Sequence, residues 1–412
     1  MSNTKISTVL RQLSQAFKAQ ASTQIFKLGL VSGNQSGDAD SIISSITYCF
    51  LHFKQSNSIS SSNKVLYLPY LNFARSELRL RKDVLHVFQQ HEITEDLLMF
   101  SDDLDSIISK DERFEDVILV DHNVPQGALA NFMTANEGTL QISGIIDHHV
   151  DEGQFLNVEP RIIEKSGSCV SLVYQYFKTL ETTISKDSQL LNFVINPVLL
   201  DTSNMQSRVE QAELDLFQDF QKTFTIISHE ADGSSTKKLY ESLIAAKNDI
   251  TGLTFTDLLN KDYKNFSSLH DGTYHFGISS IGVPLEYIMT TYTFEEVTQN
   301  VVQFIKDNGI EFLAVMTAFV KPGTEDEFHR QLAFFNLPDK TEGEHIISEI
   351  RTPLSLERFE FNSAYLQNTV VIGDTWNDVS TKENVLLFEQ HHLASSRKQV
   401  APLLREKVCS SK

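Results

Sequence analysis

The stretch QISGIIDHH, residues 141–149, decides how the chain is to be read. An Ile-rich run ends abruptly in one acid and two imidazoles. A short apolar run closed by polar residues reads as a strand buried on both faces, the form that strands take in parallel sheets. Ligands in α/β proteins bind at the carboxyl ends of such strands. Asp together with His is a common hard-to-borderline metal set. Taken alone, the tripeptide fits a polar loop closing a strand equally well, so the flanking sequence has to decide.

The same form recurs outward from it. IFKLGLV (25–31) runs into a polar loop and then into SIISSITYCFLHF (41–53), which has the length of a helix. KVLYLPYL (64–71) precedes ELRLRKDVLHVFQQH (77–91), and DVILVDHN (116–123) is another strand ending in Asp and His. SCVSLVYQYFKTL (168–180) and QLLNFVINPVLLDTSN (189–204) read as buried helices. This alternation predicts an α/β fold, a parallel sheet with helices on both faces. The polar, Gly/Ser-containing SHEADGSSTKK (228–238) reads as a linker between a domain at 1–227 and a domain at 239–412. In the second part TYHFGISSIGV (273–283), EFLAVMTAFV (311–320), RQLAFFN (330–336) and NVLLFEQ (384–390) read as strands with helices between them. That predicts a second, smaller α/β domain.

Composition narrows the function classes. The chain has 412 residues with a net charge of −19, which argues against a broad nucleic-acid-binding face. A polyanionic substrate remains compatible, because a bound divalent ion is often the largest charge in its site. No apolar run approaches the roughly 18 residues that span a bilayer. Cys49, Cys169 and Cys409 form no CxxC pair, which fits a reducing compartment and excludes a zinc ribbon. The first 37 residues hold no acid, while Ile6, Leu10, Leu13 and Phe17 fall at helical spacing. A mitochondrial transit peptide and an amphipathic helix docked on the first domain both fit, and the strand that begins at Ile25 favours docking.

Side chains able to bind metal concentrate at strand and helix ends. They are Asn34, Asp38 and Asp40 after the first strand, Asp121 after the third, Asp147, His148 and His149 after the fourth, and Asp201 at the end of a helix. Acids placed just before a helix also stabilise its N-terminus, which accounts for Asp38 or Asp40 taken singly. The whole set at one sheet edge would repel itself unless cations sat among it. Two divalent ions about 3.5–4 Å apart would clamp the attacking and leaving oxygens of an in-line displacement. The oxygen-rich, sulfur-free set suits Mg or Mn, with Co also admissible.

These motifs, in this order, resemble the DHH phosphoesterase superfamily: NQSGDAD (34–40), LVDHN (119–123), IIDHH (145–149) and LLDTSN (199–204). KDYKNF (261–266) and SSRKQVAPLL (395–404) resemble the basic motifs of the partner domain found in family II inorganic pyrophosphatases and fungal exopolyphosphatases. DADSIISSITY, EPRIIEKSGSCVSLVYQY, DTSNM and SRKQVAPLL are similar to the fungal cytosolic-type exopolyphosphatases. The resemblance implies a site in the cleft between two domains. It implies that Asp38, with Asn34, binds one metal, that Asp40, His148 and Asp201 bind the other, and that Asp121 bridges them. The nucleophile would be water or hydroxide held between the metals. His149 would face the scissile phosphate, His122 would lie near it, and Asp147 would orient the imidazoles. Lys264, Arg397 and Lys398 would grip the non-reacting phosphates. Asn34 stands where the pyrophosphatases carry a metal-binding His, which leaves a harder oxygen site.

The implied activity is release of orthophosphate from the end of inorganic polyphosphate, by a cytoplasmic monomer acting on neither nucleic acid nor membrane. A pyrophosphatase, a phosphatase of nucleoside tetraphosphates and a catalytically silent scaffold are the rival readings. RSELRLRKD (75–83) offers Arg75, Arg79, Arg81 and Lys82 as a basic track for a longer chain. SGSCVS (166–171) reads as a helix start whose amides can assist an anion. GDTWND (373–378) shares acids with haloacid-dehalogenase phosphatases, and a strand-to-helix turn accounts for it better.

Overall fold

The computed structural model describes residues 4–18, 27–58, 65–107, 113–228, 234–268, 274–324, 326–337, 340–366 and 385–407. The chain divides into two compact units, residues 1–249 and 250–412. GDTWND lies outside the described residues.

The first unit is built on strands β1 (Lys27–Ser32), β2 (Val65–Leu71), β3 (Met99–Phe100), β4 (Phe114–Val120), β5 (Gln141–Asp147) and β6 (Arg161–Ile163). Among the described residues every pairing of these strands is parallel, and the order is β3-β2-β1-β4-β5-β6. The chain winds outward from β1 in one direction and from β4 in the other. The carboxyl ends of β1 and β4 therefore diverge and open a crevice, the usual ligand position in such sheets. The central strands carry unbroken apolar runs because both their faces are covered: Leu28, Leu30, Val31, Val117, Ile118, Leu119, Ile145 and Ile146 are all buried.

Helix Ala39–Ser58 follows β1, and helices Cys169–Leu180 and Ser188–Asp201 pack against it. The N-terminal helix Ile6–Lys18 is docked, with Ile6, Val9, Leu10 and Leu13 buried in the core of this unit. Those buried residues form the apolar stripe seen at helical spacing in the sequence. Ser234–Lys238, read from sequence as linker, instead open the helix Ser234–Asn248, which packs on helices Lys82–Gln90 and Ser188–Asp201.

The second unit carries β7 (Tyr263–Ser267), β8 (His275–Ile281), β9 (Phe312–Val320), β10 (Phe328–Phe335), β11 (Leu356–Arg358) and β12 (Val385–Gln390), ordered β11-β12-β10-β9-β8-β7. Among the described residues only the β8/β9 pair is parallel. Alternate residues of β10 feed two separate cores, Ala333 and Phe335 on one face and Leu332 and Phe334 on the other.

Glu286, fully buried in this unit, accepts hydrogen bonds from Gln331 Nε2 (2.9 Å) and the Asn362 amide (3.0 Å). Burial raises its carboxyl from the usual 4.5 to about 7, outweighing the two hydrogen bonds. Between those pH values the unfolded chain has lost a proton that the fold retains, so stability falls as pH rises. The contribution is of order 3 kcal/mol at 1.36 kcal/mol per pH unit. Urea unfolding at pH 5 and pH 8 should show this loss in the wild type and a smaller one in Glu286→Gln.

Candidate metal centre

At the crevice between β1 and β4 the loop 33–38 and the turn after Val120 come together. Asp121 sits at φ 63°, an uncommon conformation for a residue with a side chain, at the end of β4. Its Oδ2 accepts from Asn34 Nδ2 (2.8 Å) and Ser41 Oγ (2.6 Å). Its Oδ1 is buried with no hydrogen-bond partner, 3.1 Å from His148 Nε2 and 3.6 Å from His149 Nδ1. Burial would raise the Asp121 carboxyl, but the two imidazoles and Ser41 outweigh it and hold it far below the usual range.

The imidazoles are oriented by backbone and carboxylate acceptors. His148 Nδ1 lies 2.9 Å from the Ser166 carbonyl, which accepts only, so Nδ1 carries the proton and Nε2 is left as a lone pair. His149 Nδ1 lies 2.9 Å from Asp147 Oδ1, which also accepts the amides of His148 (2.8 Å) and His149 (3.2 Å). Asn123 Nδ2 donates to Asp147 Oδ2 at 2.6 Å. Asp147 is thus the acceptor that folds the turn and fixes the His149 ring, which is how a carboxylate behind a ligand acts. His122 is buried beside them. Its Nδ1 faces the Val120 carbonyl at 2.9 Å, while its Nε2 has no partner, and burial lowers its affinity for a proton.

Asp40, on the first turn of helix Ala39–Ser58, is clamped by the opposite wall. Its Oδ1 accepts from Ser168 Oγ (2.7 Å) and the Val170 amide (2.9 Å), and its Oδ2 accepts from the Cys169 amide (2.6 Å). The anion served by the start of helix Cys169–Leu180 is therefore a side chain of the same chain. His148 Nε2 is 3.9 Å from Asp40 Oδ2. Burial, then the charges of Asp121 and Asp201, push Asp40 well above the usual range. Burial and the charge of Asp38 push Asp201 up to about 6, against Lys247 of helix Ser234–Asn248. These mutual effects place Asp38, Asp40, Asp121 and Asp201 in one electrostatic neighbourhood.

A cation fits this donor set. Asp121, His148 and His149 are close enough together to share one ion among the described residues. The Asp121 Oδ1 is buried without a hydrogen bond, and the neighbouring acids raise one another's proton affinity. Oxygen donors with imidazole suit Mg, Mn or Co.

Several expectations change. Asn34 Oδ1 accepts from Ser36 Oγ (2.6 Å) and the Gly37 amide (3.2 Å), so its oxygen closes a tight turn and its amide steadies Asp121. In the segment read as a basic track, Arg75 pairs with Asp103 (2.9 Å) and Lys82 with Asp249 (2.8 Å). Arg81 is buried, stacked 3.6 Å over Phe73, and donates to the carbonyls of Ser36 (2.6 Å) and Gly37 (2.7 Å). It fixes the loop that carries Asp38 and Asp40. Lys264, Arg397 and Lys398 belong to the second unit. Lys264 lies on β7, Arg397 and Lys398 open the helix Arg397–Lys407, and Arg397 grips Asp262 through Oδ1 (2.6 Å) and its carbonyl (2.7 Å).

Ser41, Asn123, Ser168 and Arg81 were missed from sequence. Each acts by one hydrogen-bond geometry that residue type alone does not reveal.

Residues 30–201 match the DHH family, N-terminal domain, and residues 241–407 match the DHHA2 domain. The chain belongs to the DHH family. Its relatives include a Schizosaccharomyces pombe protein provisionally named an exopolyphosphatase, 29% identical over 92% of this chain and 90% of its own length. The mouse protein named Exopolyphosphatase PRUNE1 is 28% identical over 92% of this chain and 75% of its own length. A Methanococcus jannaschii protein described provisionally as a family II inorganic pyrophosphatase shares the fold, with TM-score 0.55 and 17% identity, over 92% of this chain and 98% of its own.

Gly167 links the His148 and Asp40 supports. A Cβ there would lie 2.2 Å from the Arg208 carbonyl oxygen, backbone that cannot swing away. Gly167→Ala should lower stability by about 1–3 kcal/mol, as overpacking does, read as a lower thermal midpoint.

Proposed function

We propose that this chain is an exopolyphosphatase, a metal-dependent hydrolase that releases orthophosphate from the end of inorganic polyphosphate. The supporting observation is the convergence of the buried Asp121 Oδ1 with His148 Nε2 at 3.1 Å and His149 Nδ1 at 3.6 Å. Groups this close to one point can share a cation. The relatives named as exopolyphosphatases supply the substrate class.

Divalent cations, two in this reading, supply Lewis-acid charge at the phosphoryl group and acidify the attacking water. The chain's residues do the rest. Asp38, with Asn34, would hold one cation, Asp40, His148 and Asp201 the other, and Asp121 would serve both, while Asn34 Nδ2 and Ser41 Oγ hold Asp121 in place. His149, whose Nδ1–H is committed to Asp147, would donate from Nε2 to the scissile phosphate when the ring carries its second proton. His122 lies behind it, with Nε2 still unpaired. Lys264, Arg397 and Lys398 hold the non-reacting phosphates, where the planar fork of Arg397 matches phosphate oxygens. We read the protein as a monomer acting in the cytoplasm, a reducing compartment consistent with the buried free thiols of Cys49 and Cys169.

The test is orthophosphate release with Mg, Mn or Co, using long-chain polyphosphate, pyrophosphate and a nucleoside tetraphosphate in separate reactions. Release from polyphosphate with pyrophosphate intact supports the proposal. Release from pyrophosphate alone replaces it with a pyrophosphatase, and no release from any substrate leaves the silent scaffold. Asp121→Ala should cut turnover at least about a thousandfold, the scale set by losing a main electrostatic group. Arg397→Ala should raise KM more than it lowers kcat, and unchanged kinetics would remove it from the site.

A further inference from the structure

Helix Gln211–Ser228 contributes a carboxylate that no motif points to. Glu213 is fully buried in its first turn. Its Oε2 accepts the Glu210 amide (2.9 Å), an ordinary cap on a helix start. Its Oε1 does something else. It accepts from Ser166 Oγ (2.5 Å) and the Ser168 amide (3.4 Å). Those two residues flank Gly167, and each serves a side chain of the candidate metal centre. The Ser166 carbonyl accepts from His148 Nδ1 (2.9 Å), and Ser168 Oγ donates to Asp40 Oδ1 (2.7 Å).

The geometry points to Glu213 as a positioning residue that holds the segment Ser166–Ser168 so that His148 and Asp40 face a common divalent cation. This rests on the metal-dependent reading above. The segment is fixed from both sides. The Arg208 carbonyl leaves no room for a side chain at Gly167, and Glu213 ties down its neighbours. Without that tie, the acceptor for His148 Nδ1 and the donor to Asp40 would both be free to shift. Partners behind metal ligands carry about ten- to a hundredfold in metal affinity.

The helix-cap role and the positioning role separate by substitution. Ser166→Ala removes the hydroxyl that reaches Glu213 and leaves the Glu210 cap intact. Glu213→Gln keeps a side-chain acceptor but presents a donor at one of two places that need an acceptor. Mn(II) affinity is read by calorimetric titration of the full chain, and the metal-free thermal midpoint is read alongside it. Weaker Mn(II) binding in both variants, by about ten- to a hundredfold, with a metal-free midpoint near wild type for Ser166→Ala, is the expected result. Wild-type affinity in both variants overturns the positioning role and leaves Glu213 as a helix cap, whatever happens to the midpoint. A wild-type chain that binds no Mn(II) overturns the metal-dependent reading itself, and the positioning role with it. The wild-type titration therefore tells the two failures apart.

Discussion

The carboxylate of Asp40 is buried against the first turn of helix Cys169–Leu180, and much of the first unit is organised by that contact. Two backbone amides and the Ser168 hydroxyl donate to it. A helix N-terminus is the cheapest place to bury an anion, because its amides have no partner within the helix and its dipole favours negative charge. The contact joins the element after β1 to the element after β6. It therefore fixes the spacing across the carboxyl edge of the sheet, where Asp121 and His148 also stand. A parallel sheet brings strand ends to one edge, but it does not set how far apart their loops lie.

That edge carries more negative charge than its own donors balance. Asn34 and Ser41 satisfy one oxygen of Asp121, and Asp147 is neutralised in effect by three N–H donors of the DHH turn and by Asn123. Asp40 and Asp201 still have their proton affinity raised by burial and by each other's neighbours. In the absence of a cation, protonation is the remaining way to relieve such a cluster. A divalent ion relieves it without a proton. The hydrogen bonds behind Asp40 and Asp121 meanwhile hold those two carboxylates in place at the edge.

The sheet and the acids at its carboxyl edge were legible because periodicity and position carry them. Ile145, Ile146 and Asp147 announce a buried strand and its end, and Leu28 to Val31 do the same for β1. The sequence reading also recovered four of the strands in the second unit. β3 and β6 are too short to show a period, and β7 is an edge strand hidden in a segment read as a substrate-binding motif. Arg81 misled because an arginine in a basic run looks solvated. Here the carbonyls of Ser36 and Gly37, and the Phe73 face, give it a buried place that no local pattern encodes. Glu213 was invisible for the same reason: its partners lie more than forty residues away.

The turn after Asp201 shows what such a site costs. Ser203, Asn204 and Met205 all have positive φ, at 50°, 57° and 63°. Side-chain-bearing residues visit this region singly, and each visit costs of order 1–3 kcal/mol when the surroundings enforce it. Three in a row need compensation, and Thr202 supplies part of it. Its Oγ1 donates to the Val198 carbonyl (2.6 Å) and accepts the Met205 amide (3.0 Å), while its carbonyl takes the amides of Gln206 and Ser207, both at 2.9 Å. The left-handed turn ends helix Ser188–Asp201 immediately after its last acid and returns the chain to Arg208, whose carbonyl presses on Gly167. An ordinary helix end would relax the strain but send residue 208 elsewhere. The strain is thus spent where the Asp201 helix, the Gly167 segment and Glu213 must meet, which is also where the carboxylates and imidazoles of the candidate centre need a rigid backing.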